Sequence, residues 1–170
     1  MNFQEILVDS SRKLIEIVAN EVGNDECRFR EILNLSFAEI KQISNRASRV
    51  AYFSCLQNPV FFQKYSSEII NHFYTIKDKS VIRNLLGIVY EYIENISDEE
   101  QQGKIVDLCF NWLNPKEPIA LRYYSMKIIF CLTKKYPELI PEFAAILENT
   151  LIDGSTGLKN QSNKLLRKLH

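Results

Sequence analysis

Apolar residues recur along this chain at three- and four-residue intervals from end to end, the spacing of helices that each bury one face. Phe3, Leu7, Leu14 and Val18, supported by Ile6 and Ile17, form a first stripe and predict one helix over residues 2–22. Gly23-Asn24 stops it, and Asn24 or Asp25 can cap a short helix at about 26–34 with Phe29, Ile32 and Leu33 inward. Ser36-Phe37-Ala38-Glu39 has the form of a capping box, with the Ser36 hydroxyl accepting from the Glu39 amide and the carboxylate reaching back. A long helical stretch follows to Gln57 and ends at Asn58-Pro59, because proline disfavours helix in the residue before it. Residues 61–76, 80–95, 99–113, 119–135, 137–151 and 158–169 read as further helices. Ser97-Asp98 caps one of them, and Pro137 and Pro141 fall within one turn of a helix start, where a missing amide donor matters least. Short β-branched groups such as Ile69-Ile70 sit inside helical spacing, so no strand is predicted.

The helices repeat. A small residue opens the inward face of alternate helices at Ser48, Gly87, Ser125 and Ser162, separated by 39, 38 and 37 positions. The intervening helices repeat as well, in Ile69-Ile70 with Phe73, Ile105-Val106 with Cys109, and Phe143-Ala144 with Leu147. Two helices per period of just under forty residues is the signature of an α-solenoid. One pair cannot bury its own apolar face, so neighbours stack into a continuous core. The expected fold is all-α, a right-handed α–α superhelix in one domain over residues 1–170. An N-terminal helical cap takes residues 1–35, the pairs take 37–76, 80–113 and 119–152, and a closing helix takes 158–169.

Composition narrows the functional classes. The chain has 170 residues, with 21 Lys and Arg against 21 Asp and Glu, so bulk charge gives no reason to expect nucleic acid. Five glycines are few for phosphate-cradling loops. No apolar run approaches a membrane span or the core of a secretion signal. Cys27, Cys55, Cys109 and Cys131 share no metal-ligand spacing, and they read as small core hydrophobes kept reduced in a cytoplasmic protein. His72 and His170 are the only histidines, so neither a metal site nor a bound cofactor is expected.

Charge is not evenly spread. Residues 83–107 hold six acids and two bases, a net −4, while residues 157–170 hold Lys159, Lys164, Arg167 and Lys168 with no acid, a net +4. Arg46, Arg83 and Arg122 recur near the starts of first helices, 37 and 39 positions apart. Adjacent aromatics such as Tyr52-Phe53, Phe61-Phe62 and Tyr123-Tyr124 cannot all face one core, because neighbours on a helix differ by about 100°.

The segment Asp107-Leu-Cys-Phe-Asn-Trp-Leu-Asn-Pro-Lys-Glu-Pro118, with Leu121-Arg122, Ser125-Met126-Lys127, Thr133-Lys-Lys-Tyr-Pro-Glu-Leu139 and Ser162-Asn-Lys-Leu-Leu-Arg-Lys-Leu169, resembles the HEAT-like repeat class. More narrowly, residues 80–169 are similar to small cytoplasmic HEAT-like proteins of Bacteroidetes-type bacteria, whose role is unknown. The resemblance implies an adaptor or scaffold. Chains of this type sometimes carry the label adenylosuccinate lyase, which the residues do not support: such lyases are much longer and use catalytic His and Ser with a mobile Gly/Ser-rich loop. The expected activity is therefore non-catalytic recognition of a protein or peptide, with no membrane or metal partner. The concave face of the second helices is the expected surface, although the sequence does not fix which helices line it. The candidate binding residues are Arg46, Arg49, Arg83, Arg122, Tyr123 and Lys159. Nucleic-acid binding through a basic face is the alternative, and an enzyme is the third class.

Overall fold

A computed structural model describes residues 2–169. Helices α1 (Phe3–Ile6), α2 (Arg12–Val22), α3 (Glu26–Phe37), α4 (Lys41–Gln57), α5 (Pro59–His72) and α6 (Lys79–Tyr92) are followed by a 3-10 turn at Ile93–Asn95. Then come α7 (Glu99–Trp112), α8 (Ile119–Thr133), a 3-10 turn at Pro137–Leu139, α9 (Ile140–Asp153) and α10 (Thr156–Leu169). Among the described residues there is no strand, and the chain is of the all-α solenoid class. It divides into two compact units, Met1–Tyr92 and Ile93–His170, and the division falls within the expected 80–113 pair.

In the first unit α4 packs on α2 and α6 to either side and on α3 behind, and α3 also meets α5. First helices therefore line up in one layer and second helices in another. The core between them holds Ile15, Val18, Phe29, Ile32, Val50, Ala51, Ile69, Leu85 and Val89. In the second unit α8 packs on α7 and α10, and α10 on α9, around Ile105, Cys109, Ile128, Ile129, Phe143, Leu147 and Leu165. Ser48, Gly87, Ser125 and Ser162, the small residues of the repeat, are all buried. Small side chains there let neighbouring helices approach.

The period also appears in the polar ties. Arg46 Nη1 donates to the Leu7 carbonyl and Asn84 Nδ2 to the Asn45 carbonyl, each across 39 residues. The Tyr92 hydroxyl donates to the Cys55 carbonyl across 37 residues, and Lys134 Nζ donates to Glu94 across 40. Within each unit these bonds join groups about one period apart in sequence, as expected where each repeat contacts its neighbours.

Three local expectations are corrected. The stripe over 2–22 is two helices, because Asp9 Oδ1 accepts from the Ser11 amide and the Ser11 hydroxyl caps α2 at Leu14. The buried face of α2 is Ile15, Val18, Ala19 and Val22, and Ile17 is exposed. Ser36 starts no helix. It lies inside α3 with its hydroxyl donating to the Ile32 carbonyl, and the helix runs on to Phe37, whose ring stacks on His72 at 3.7 Å. Glu39 then takes a positive φ of 55° in the turn, and Ser44 secures the corner by accepting from the Ile40 amide and donating to the Leu35 carbonyl. Cys27 is exposed rather than core, because its α3 position faces away from Phe29, Ile32 and Leu33.

Candidate interaction surface

The six candidate residues lie on α4, α6, α8 and α10, the first helices, rather than on the second helices. Arg46 and Arg49 are half-buried on α4 and are used within the chain. Arg46 donates to the Leu7 carbonyl at 2.7 Å and to Gln42, and Arg49 donates to the Ser10 carbonyl. Together they clamp the connector between α1 and α2, whose unpaired carbonyls need donors. Arg83 Nη2 donates to Asn84 Oδ1 at 3.0 Å, and Asn84 in turn donates to the Ser48 hydroxyl at 2.9 Å. This polar chain stitches α6 onto α4.

Around these arginines the first unit displays an aromatic and apolar strip. Tyr52 and Phe53 meet edge to face at 5.4 Å, and the Arg12 guanidinium lies 5.9 Å over the Phe53 ring. The Tyr52 hydroxyl reaches Glu91 at 3.4 Å. Ile17 on α2 and Leu56 on α4 are exposed large apolar residues. Tyrosine, phenylalanine and arginine on one half-exposed face combine apolar area with directed polar groups, the composition of protein-recognition hot spots.

The second unit places Tyr123 on α8 with Lys127 Nζ 5.2 Å over its ring and Tyr124 edge-on at 6.2 Å. Lys159 Nζ donates to the Ile152 carbonyl at the end of α9. Lys164, Arg167 and Lys168 line an open groove with Asn160 and Asn163. Arg122 is 6% exposed. It is recessed in a cleft rather than set on an open face, so it does not join Arg46 and Arg83 in a surface track. The acidic stretch is partly neutralised, with Glu94 paired to Lys134 at 3.2 Å and Glu99 to Lys135 at 3.3 Å.

The second helices of the first unit carry a dense set of ties that sequence reasoning did not single out. Phe29 stacks on Phe61 at 4.2 Å, and Arg30 Nη1 contacts both oxygens of Glu68 at 2.6 and 2.7 Å. Their signal in the sequence is a 38-residue spacing of complementary charges. Among the described residues no cluster of three or more His, Cys, Asp or Glu could hold a metal ion. No helix among them is long and apolar enough to cross a membrane. Burial pushes the Cys109 thiol up to about 12 and raises Cys55 further, so neither is an available nucleophile.

Comparison with curated proteins and with solved structures returned no match. The family model described as HEAT repeat domain matches residues 4–169. Such domains commonly serve as protein-interaction scaffolds. Paired helices, a period just under forty residues and side-chain ties at that period agree with the match, and the chain belongs to the HEAT repeat domain family.

Proposed function

We propose that this chain is a non-catalytic cytoplasmic scaffold that binds another protein or a peptide on its first-helix faces. The carrying observation is the cluster of Arg12, Tyr52 and Phe53, with Leu56 exposed one turn further along α4. Burying such a cluster releases water from apolar area while the arginine and tyrosine direct the fit. The family's common use as scaffolds supports the reading, and four free thiols suit a reducing compartment. Affinity capture from native lysate with mass spectrometry tests it. A reproducible partner lost in Tyr52→Ala/Phe53→Ala is the expected result. No partner above background with the wild-type chain counts against it.

The basic groove of α10 favours a second reading, nucleic-acid binding through Lys164, Arg167 and Lys168. That reading requires affinity to fall steeply with salt. No mobility shift of duplex or single strands at low salt eliminates it.

A further inference from the structure

Arg122 is buried, and its side chain has no hydrogen-bond partner among the described residues. It is 6% exposed, and its Nε is fully covered with no acceptor. A buried guanidinium N–H without an acceptor is costly, and proteins otherwise pair it. Two other arginines near the starts of first helices are satisfied within the chain: Arg46 donates to the Leu7 carbonyl and Arg83 to Asn84. Arg122 alone of the three is unsatisfied.

It opens on a cleft of about 290 Å³ within the second unit. Asn111, Asn114 and Asn149 line the cleft with amide groups, Phe110, Leu113 and Ile146 give it apolar walls, and Asp153 lies at its rim. Asp153 is exposed and is not paired with Arg122. A planar guanidinium flanked by side-chain amides matches a carboxylate, and the apolar walls match the body that carries it. We propose that this cleft receives a carboxylate of a partner polypeptide, from a Glu or Asp side chain or a chain end. The inference rests on the scaffold reading and gives it one defined contact.

The test follows the Arg122 Nε–H signal by ¹⁵N NMR, assigned by its loss in Arg122→Met. The probes are an acetylated Leu-Phe-Glu-Leu amide, its Gln counterpart, sodium acetate, inorganic phosphate and a thymidine oligonucleotide. A saturable shift with the Glu peptide, absent with the Gln peptide, is expected. Peptide affinity should fall about tenfold or more in Arg122→Met, the loss of one charge-assisted hydrogen bond. Melting temperature should not fall in that variant, because it removes a buried N–H that has no acceptor. No shift with the Glu peptide overturns the proposal, as does an equal shift with the Gln peptide. A response to acetate, phosphate or oligonucleotide without one to the peptide overturns it too. Asp153→Asn should leave the Arg122 signal of the free protein unmoved; a change reveals an internal pair and also overturns it. Lysate partners captured equally by wild type and Arg122→Met, combined with a silent NMR titration, retire the cleft and leave the scaffold reading standing.

Discussion

Arg30 on α3 and Glu68 on α5, 38 residues apart, form a two-pronged ion pair at 2.6 and 2.7 Å, with the guanidinium 4.3 Å over the Tyr65 ring. The Glu68 hydrogen bond holds the Arg30 pKa above its already high usual value. About a third of each side chain remains in solvent, 37% and 31%, so screening reduces its worth. Replacing Arg30 by Gln should cost about 1 kcal/mol, roughly 2–4 °C in Tm for a chain of this size. A double-mutant cycle with Glu68→Gln should return a coupling that shrinks in high salt. Additive single effects would remove the pair from the stability of the repeat.

Glu26, on the same helix, is held below its ordinary value of 4.5 chiefly by the Lys64 ammonium and then by the Tyr65 hydroxyl. A depressed folded-state pKa contributes stability that is present above 4.5 and is lost as pH falls through the lower folded value. The Glu26 carboxyl should therefore titrate below 4.5 by ¹³C NMR. Lys64→Met should move its midpoint upward. An unchanged midpoint in that variant contradicts the assignment of Lys64 as the main cause.

Ser48 sits at the repeated small position, fully buried, and accepts from Asn84 at 2.9 Å. Leucine there would overfill the α4–α6 contact and strip Asn84 of a partner. Overpacking costs about 1–3 kcal/mol, while Asn84 keeps its bond to the Asn45 carbonyl. Thermal or urea unfolding of Ser48→Leu should show a loss of about 1–3 kcal/mol on those grounds. A near-neutral result would show that the layers can separate without cost.

Gly103 lies inside α7 on an exposed face, and a Cβ added there meets nothing within 4 Å. Alanine should stabilise by about 0.5–1 kcal/mol through the unfolded chain's lost freedom. Calorimetry should show a Tm gain of about 2–4 °C per kcal/mol. A lower Tm would mean that the glycine meets a need absent from the local geometry.

Thiol accessibility differs by position. Cys27 is exposed, Cys131 is intermediate, and Cys55 and Cys109 are buried. An aromatic disulfide reagent should label Cys27 first in the native protein. It should reach Cys55 and Cys109 only when the repeats open, with rates that track unfolding. Fast labelling of Cys109 under native conditions would contradict the packing of α7 on α8.

Helix positions were legible because a buried stripe and its caps are local. Asp25 caps α3 by accepting from the Arg28 amide, and Asp98 caps α7, as their residue types at those places require. The Asp9-Ser10-Ser11 break was legible in principle, since Asx and Ser caps are local, but the apolar stripe spanning it hid the signal. The end of α3 was not legible. It is decided by the Phe37 ring stacking on His72, a residue two helices later. The candidate site was legible only as a set of residue types, and their exposure was not.

By itself, the sequence determined that the chain is helical, repeats at just under forty residues and buries a small side chain at Ser48, Gly87, Ser125 and Ser162. Periodicity and capping are one-dimensional properties, so neighbours along the chain suffice to set them. Only the tertiary structure decided which of the three first-helix arginines finds a partner. Arg46 meets a carbonyl freed by the α1–α2 break, Arg83 meets Asn84, and Arg122 meets neither. The Arg46 acceptor lies 39 residues away and Arg122 is covered by groups of other helices, and the distance and direction of such groups are set by how the helices pack.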